Sequence, residues 1–143
     1  LANCDDGASH RNFIGPSKLV KNLWGELKSS GVPTWEIGSF HRQEFKYLGL
    51  IKSNQPLHVV WFYTEWGQSC RATNRLLLFT KNGKFSGSYS DADEPSKIIN
   101  GNTLQFTLTE SVNFSSGPPV WLHDTKFETA SSWALTTQSR GPP

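Results

Sequence analysis

Methionine is absent from the 143 residues, cysteine occurs only twice, and no Lys/Arg block stands anywhere in the chain. The missing basic block excludes phosphate-backbone binding as a main activity, since 14 basic and 12 acidic residues are scattered to a formal net charge of only +2. No nucleic-acid partner is expected. Nor does any segment approach the roughly 18 to 20 apolar residues of a membrane-spanning helix. The most apolar run, Leu57 to Tyr63, is interrupted by His58. The chain therefore reads as soluble, without a membrane span.

Chemical signatures are equally scarce. There is no Gly-x-Ser-x-Gly elbow, phosphate-binding glycine loop or dinucleotide fingerprint. The four histidines (His10, His41, His58, His123) lack the close His/Cys/Asp/Glu spacing that a zinc site needs. No catalytic residue, metal or cofactor is expected. His58, inside an apolar strand, reads as a hydrogen-bonded residue rather than a general base, and the other three as surface residues. Asp91, Asp93 and Glu94 supply carboxylates, but a glycosidase needs two facing each other across a cleft, and the rest of a calcium loop is missing. A solvated acidic loop is the simpler reading.

The two cysteines, Cys4 and Cys70, read as one disulfide in an oxidising compartment. Closing about 66 residues would stabilise the fold by roughly 4 kcal/mol on the chain-entropy account. The competing reading makes Cys70, within Gly-Gln-Ser-Cys-Arg, a nucleophile assisted by Arg71 and a histidine. The lack of methionine and the opening Leu1-Ala2, resembling a remnant of a signal-cleavage region, add to the expectation of a mature periplasmic or secreted protein.

What the chain does contain is aromatic bulk: 13% of residues, including six tryptophans, against 36% hydrophobic overall. A few large side chains can thus fill one core, and 143 residues fit one domain. An N-terminal arm (1–15) precedes one helix over 17–28, where Leu19, Val20, Leu23, Trp24 and Leu27 form an apolar stripe. Ser17 is placed to cap it, and Gly31 with Pro33 to end it. A β domain follows over 34–137, with a loose tail at 138–143. Its strand candidates are Thr34 to Phe40, Glu44 to Lys52, Leu57 to Glu65, Ala72 to Thr80, and the run from Phe85. Shorter ones are Ser96 to Asn100, Thr103 to Thr109, Val120 to His123, Lys126 to Thr129 and Trp133 to Thr137.

Asn82-Gly83 predicts a two-residue type I′ hairpin, which would set Thr80 opposite Phe85, Phe79 opposite Ser86, Leu77 opposite Ser88 and Leu76 opposite Tyr89. The fold class expected is mainly β: an antiparallel meander closed as a sandwich or barrel, with the helix packed on it and one disulfide.

Three segments are candidate contact surfaces. Ser86, Gly87, Ser88 and Tyr89, followed by Asp91, Asp93 and Glu94, are the least core-like strand residues: an edge that accepts a partner, a projecting loop, or an ordinary weak edge strand. Trp66, near Cys70, is a secondary anchor or packing around the bridge. Trp121, after the rigid Ser115 to Val120 loop, is another secondary anchor or part of a plain connection.

The stretch from Glu44 to Tyr89 (EFKYLGLIK, LHVVWFYTEWGQSCRATNRLLLFT, KNGKFSGSY) resembles small bacterial periplasmic β proteins, including immunity proteins that neutralise type VI-secreted peptidoglycan amidases. That resemblance implies an inhibitor that binds a secreted cell-wall hydrolase and occludes its catalytic groove with a surface loop. A carbohydrate- or cell-wall-binding module, stacking aromatic faces on sugar rings, is the alternative.

Overall fold

The computed structural model describes residues 9–31, 40–106 and 110–131. Cys4, all but the last residue of the strand candidate Thr34 to Phe40, the candidate Trp133 to Thr137, and the tail 138–143 lie outside them. Strand β1 (His10–Ile14) leads into helix α1 (Ser17–Ser29), and β2 (Arg42–Ile51) then runs parallel to β1. A helical crossover is the usual way to join parallel neighbours. Strands β3 (Leu57–Trp66), β4 (Arg71–Thr80) and β5 (Phe85–Ser90) continue as an antiparallel meander, with every neighbour joined by a short turn. Six short strands follow: β6 (Lys97–Ile99), β7 (Thr103–Gln105), β8 (Ser111–Asn113), β9 (Trp121–Leu122), β10 (Thr125–Lys126) and β11 (Glu128–Thr129).

The main sheet has the order β1-β2-β3-β4-β5-β11 and is open, with β1 and β11 at its margins. It is not a closed barrel, and its first pair is parallel rather than antiparallel, which corrects the expected closed meander. Strands β6, β7 and β8 make a separate antiparallel sheet, and β9 with β10 a small hairpin. The expected strand Lys126 to Thr129 is divided between two sheets: its start pairs with β9, its end with β5.

Alternation along β3 and β4 builds two cores on the two faces of one sheet. Val60, Phe62, Leu77 and Phe79 pack with Val20, Leu23, Trp24 and Leu27 of the helix. Val59, Trp61, Leu76 and Leu78 point the other way, against Leu104, Phe106, Phe114 and Leu122 from the small sheet and its flanks. A sheet covered on both faces explains why β3 and β4 read as continuous apolar runs instead of alternating ones.

Helix α1 buries the predicted stripe, with Leu23 and Leu27 fully enclosed. Trp24 meets Phe13, Phe45 and Phe62 edge-on at centroid separations of 5.5, 5.3 and 5.8 Å. The expected Ser17 cap is not formed. Pro16 holds the N-cap position, with no side-chain hydrogen bond, and Ser17 is the first helical residue. Proline there has no side-chain acceptor to offer the first-turn N–H groups. Gly31 follows the helix at φ 89, the left-handed stop expected of it.

The β4–β5 turn departs from the expected two-residue loop. Thr80 and Lys84 close it, through Thr80 N–H to Lys84 O at 2.7 Å and Gly83 N–H to Thr80 O at 2.8 Å. Only Gly83, at φ 94, is left-handed. This is a three-residue loop, which shifts the pairing so that Phe79 faces Phe85, not Ser86. An irregularity between Leu78 and Phe79 then restores the register. Leu77 opposite Ser88 and Leu76 opposite Tyr89 are found as expected.

Candidate functional site

Strand β5 is not an edge. Its outer side is covered by β11, with Ser88 opposite Glu128 and Gly87 opposite Thr129. The small residues do admit a close approach, but by this chain's own backbone. A Cβ on Gly87 would lie 2.5 Å from the Glu128 carbonyl oxygen and within 2.8 Å of two Phe127 ring carbons. Gly87, Ser88 and Tyr89 are buried and Ser86 is half-buried, so the expected contact strand is largely internal. Tyr89 donates its hydroxyl hydrogen to the Pro119 carbonyl and packs on Phe127 at 5.1 Å between rings. Burial pushes its phenol well above the ordinary tyrosine value.

Past Tyr89 the chain surfaces. Asp91 adopts φ 57, a left-handed turn that aspartate tolerates, and its N–H is held by the Asn74 carbonyl at 2.7 Å. Asp91, Asp93 and Glu94 are all exposed. Glu94 is drawn to β2 by an ion pair with Lys46 at 3.1 Å. The other two carboxylates face a groove of about 470 Å³.

The groove is bounded on one side by Ser90, Asp91 and Asp93 at the end of β5. Its other side is the β9–β10 hairpin, through His123, Asp124, Thr125 and Lys126, with Glu128 of β11 beyond. Four carboxylates therefore face one lysine and one histidine. Ser90 accepts a hydrogen bond from the nearly buried Arg75 and donates one to Glu128 Oε1 at 3.4 Å, tying β4, β5 and β11 together beneath the groove.

His123 occupies the hairpin turn at φ 55. Its Nε2 contacts the Glu110 carboxylate, and its ring sits edge-on to Phe106 at 4.8 Å. The residue is exposed, as expected, although these contacts leave its side chain only 23% exposed. No local spacing signal linked it to Glu110 or Asp91; the β9–β10 turn brings them together.

Trp121 stands opposite Lys126 in the same hairpin and is 60% exposed, beside Val120 at 62%. The segment carrying it is fixed by the Tyr89 bond to Pro119 and by Phe127 N–H to Val120 O at 2.8 Å. Of the expected anchors, Trp121 is not itself in the groove lining but stands opposite Lys126, which is. Trp66 is elsewhere, at the far end of β3. It is half-buried, donates its indole N–H to Thr73 Oγ1 at 2.9 Å and lies under Arg71 at 5.7 Å. Cys70 sits in the adjoining β3–β4 turn at φ 56.

His58 is held between two neighbours: Tyr47 donates its hydroxyl hydrogen to Nδ1 at 2.8 Å, and Nε2–H donates to the Lys81 carbonyl at 3.2 Å. That matches the hydrogen-bonded reading. Among the described residues no group of three His, Cys, Asp or Glu side chains is arranged to hold a metal ion, and no helix is long and apolar enough to cross a membrane. The groove offers carboxylates to cationic or hydroxyl groups. Neither a protein-family model, nor a curated protein, nor a solved structure matches the chain.

Proposed function

We propose that the protein is a non-catalytic, exported binding protein whose contact surface is the acidic groove together with Trp121. The observation that carries this reading is Trp121, left 60% exposed on the β9–β10 hairpin opposite Lys126, a residue that lines a groove with four carboxylates. Tryptophans in that setting are typical binding anchors, and surrounding charge steers the encounter. Asp91, Asp93 and Glu94 join Trp121 in the contact, while Ser86, Gly87, Ser88 and Tyr89 act from behind as the strand that fixes them.

The partner class is a secreted cell-wall hydrolase, of the peptidoglycan amidase kind, whose active site the protein occludes as a periplasmic immunity protein would. A rigid two-faced sheet presents its surface with little ordering cost on binding. Part of that rigidity is assigned to a Cys4–Cys70 bridge. Thiol titration of unreduced, denatured protein is expected to find no free thiol; two free thiols would remove the bridge.

The hydrolase reading is tested by co-elution in size-exclusion chromatography and by inhibition of purified amidases. Trp121→Ala is expected to weaken inhibition at least about fivefold, the scale of an interface anchor worth over 1 kcal/mol. Full inhibition by that variant would refute the assignment of the surface. The same aromatic face next to carboxylates also suits a sugar ring, stacked and hydrogen-bonded through its hydroxyls. Quenching of tryptophan fluorescence by peptidoglycan fragments, lost in Trp121→Ala, would favour the wall-binding alternative.

A further inference from the structure

An asparagine side chain reaches the next backbone nitrogen most readily when the following residue is glycine, which sets no Cβ in the way. The chain holds two such pairs, Asn82-Gly83 and Asn100-Gly101, and both asparagines are exposed in hairpin turns. The fold treats their glycine nitrogens differently. Gly83 N–H donates to Thr80 O at 2.8 Å, inside the loop that Thr80 and Lys84 close. At the β6–β7 turn, which joins Ile99 to Thr103, Asn100 and Gly101 are left-handed at φ 54 and 75. That turn is held by Asn102 N–H to Ile99 O at 3.3 Å and by Lys52 N–H to Gly101 O at 2.6 Å. Gly101 N–H, by contrast, has no acceptor among the described residues. The neighbouring carboxamides are tied: Asn102 Nδ2 donates to Ser115 Oγ at 2.9 Å, and Asn113 Oδ1 accepts from Ser115 N–H at 2.7 Å. That of Asn100 makes no hydrogen bond among the described residues.

We propose that Asn100 is a self-modifying site that converts to isoaspartate ahead of Asn82. The Gly101 nitrogen gives up its proton to solvent and attacks Cγ of Asn100. The new N–C bond forms as the Cγ–Nδ2 bond breaks, and the amide group leaves as ammonia after taking a proton from solvent. Water then opens the five-membered imide at either carbonyl, leaving aspartate or isoaspartate, with no oxidation or reduction in either step. A nitrogen already donating a hydrogen bond, as at Gly83, must first lose that bond, which slows the attack. The product carries a new negative charge, and as isoaspartate an extra main-chain carbon, in the turn that Lys52 N–H grips. That bond ties the residue after β2 to the small sheet, near the contact where Ile98 Cδ1 would lie 2.9 Å from a Cβ on Gly49. Isoaspartate at position 100 therefore loosens the small sheet from β2 at this corner. None of these residues lines the acidic groove, so the site is independent of the proposed binding function.

The test is fragmentation mass spectrometry of peptides from protein incubated in mildly alkaline buffer, once folded and once in urea, with isoaspartate counted by an isoaspartyl methyltransferase label. In the folded protein Asn100 is expected to convert about fivefold faster than Asn82, the factor that one hydrogen bond of ordinary strength supplies. In urea both pairs lose their turns, and the ratio is expected to fall to about one. Asn100→Gly, which keeps the left-handed backbone, is expected to remove the isoaspartate at this turn and leave that at Asn82. The Lys52 amide is expected to exchange faster in aged protein than in fresh protein. Equal or faster conversion of Asn82 in the folded chain would overturn the assignment, as would a ratio unchanged by urea. Unaltered Lys52 exchange in aged protein would overturn the loosening.

Discussion

Gly87 is the residue on which the largest structural consequence turns. Its missing side chain is the space that Phe127 and the Glu128 backbone occupy, so the strand that covers β5 can exist only while position 87 has no Cβ. Gly87→Ala is expected to cost about 1–3 kcal/mol, the usual range for overpacking against backbone that cannot yield. Urea denaturation checks it, together with faster amide exchange at Glu128 and Thr129. Tyr89, two residues on, governs behaviour in alkali. Burial raises its phenol and that of Tyr47; at Tyr63 burial and the hydrogen bond to Glu65 outweigh Arg42. A raised native value means that the unfolded chain releases these protons first. Stability is then whole below the unfolded value of about 10 and declines as pH rises past it. Urea midpoints at about pH 8 and about pH 10.5 are expected to show that fall, shallower in Tyr89→Phe.

At the scale of elements, the helix and the central meander were legible in the amino-acid order because each is specified locally. The stripe from Val20 to Leu27 repeats at helical spacing, and β3 and β4 are long runs of branched and aromatic residues between turn formers. Trp24→Ala is expected to cost about 3–5 kcal/mol, because it empties the ring cluster between helix and sheet. A drop in denaturation midpoint with the far-ultraviolet spectrum retained would check it. The elements that could not be read are those defined by distant partners. β1 (HRNFI) has little pattern of its own and becomes a strand through pairing with β2 across the helix. β8 is three residues long, and β10 and β11 divide a four-residue candidate between two sheets. The register of β4 with β5 was readable beyond the irregularity, because the extra loop residue and the extra strand residue cancel. The groove was half readable. Asp91 and Asp93 stood out as residues, but their meeting with Asp124, Glu128 and His123 depends on tertiary closure.

For the whole molecule, the second core reaches up to the groove: Leu122 beside Trp121 and Ala92 between Asp91 and Asp93 are buried in it, while Trp121 itself stays 60% exposed. Trp121→Ala is therefore expected to leave the urea midpoint within about 0.5 kcal/mol of the wild type, as surface substitutions do. A larger loss would mean that the side chain supports the fold and is not held out for a partner.

The order of strands in the main sheet also has a consequence during synthesis. β5 leaves the ribosome well before β11, with all of β6 to β10 still to come. Throughout that interval the nascent chain presents an uncovered strand with bare amide and carbonyl groups, open to pairing with a neighbouring chain. Polysomes, not the finished protein, are where this fold is most exposed to aggregation, and a holdase that shields β5 until residue 129 has emerged would raise its yield.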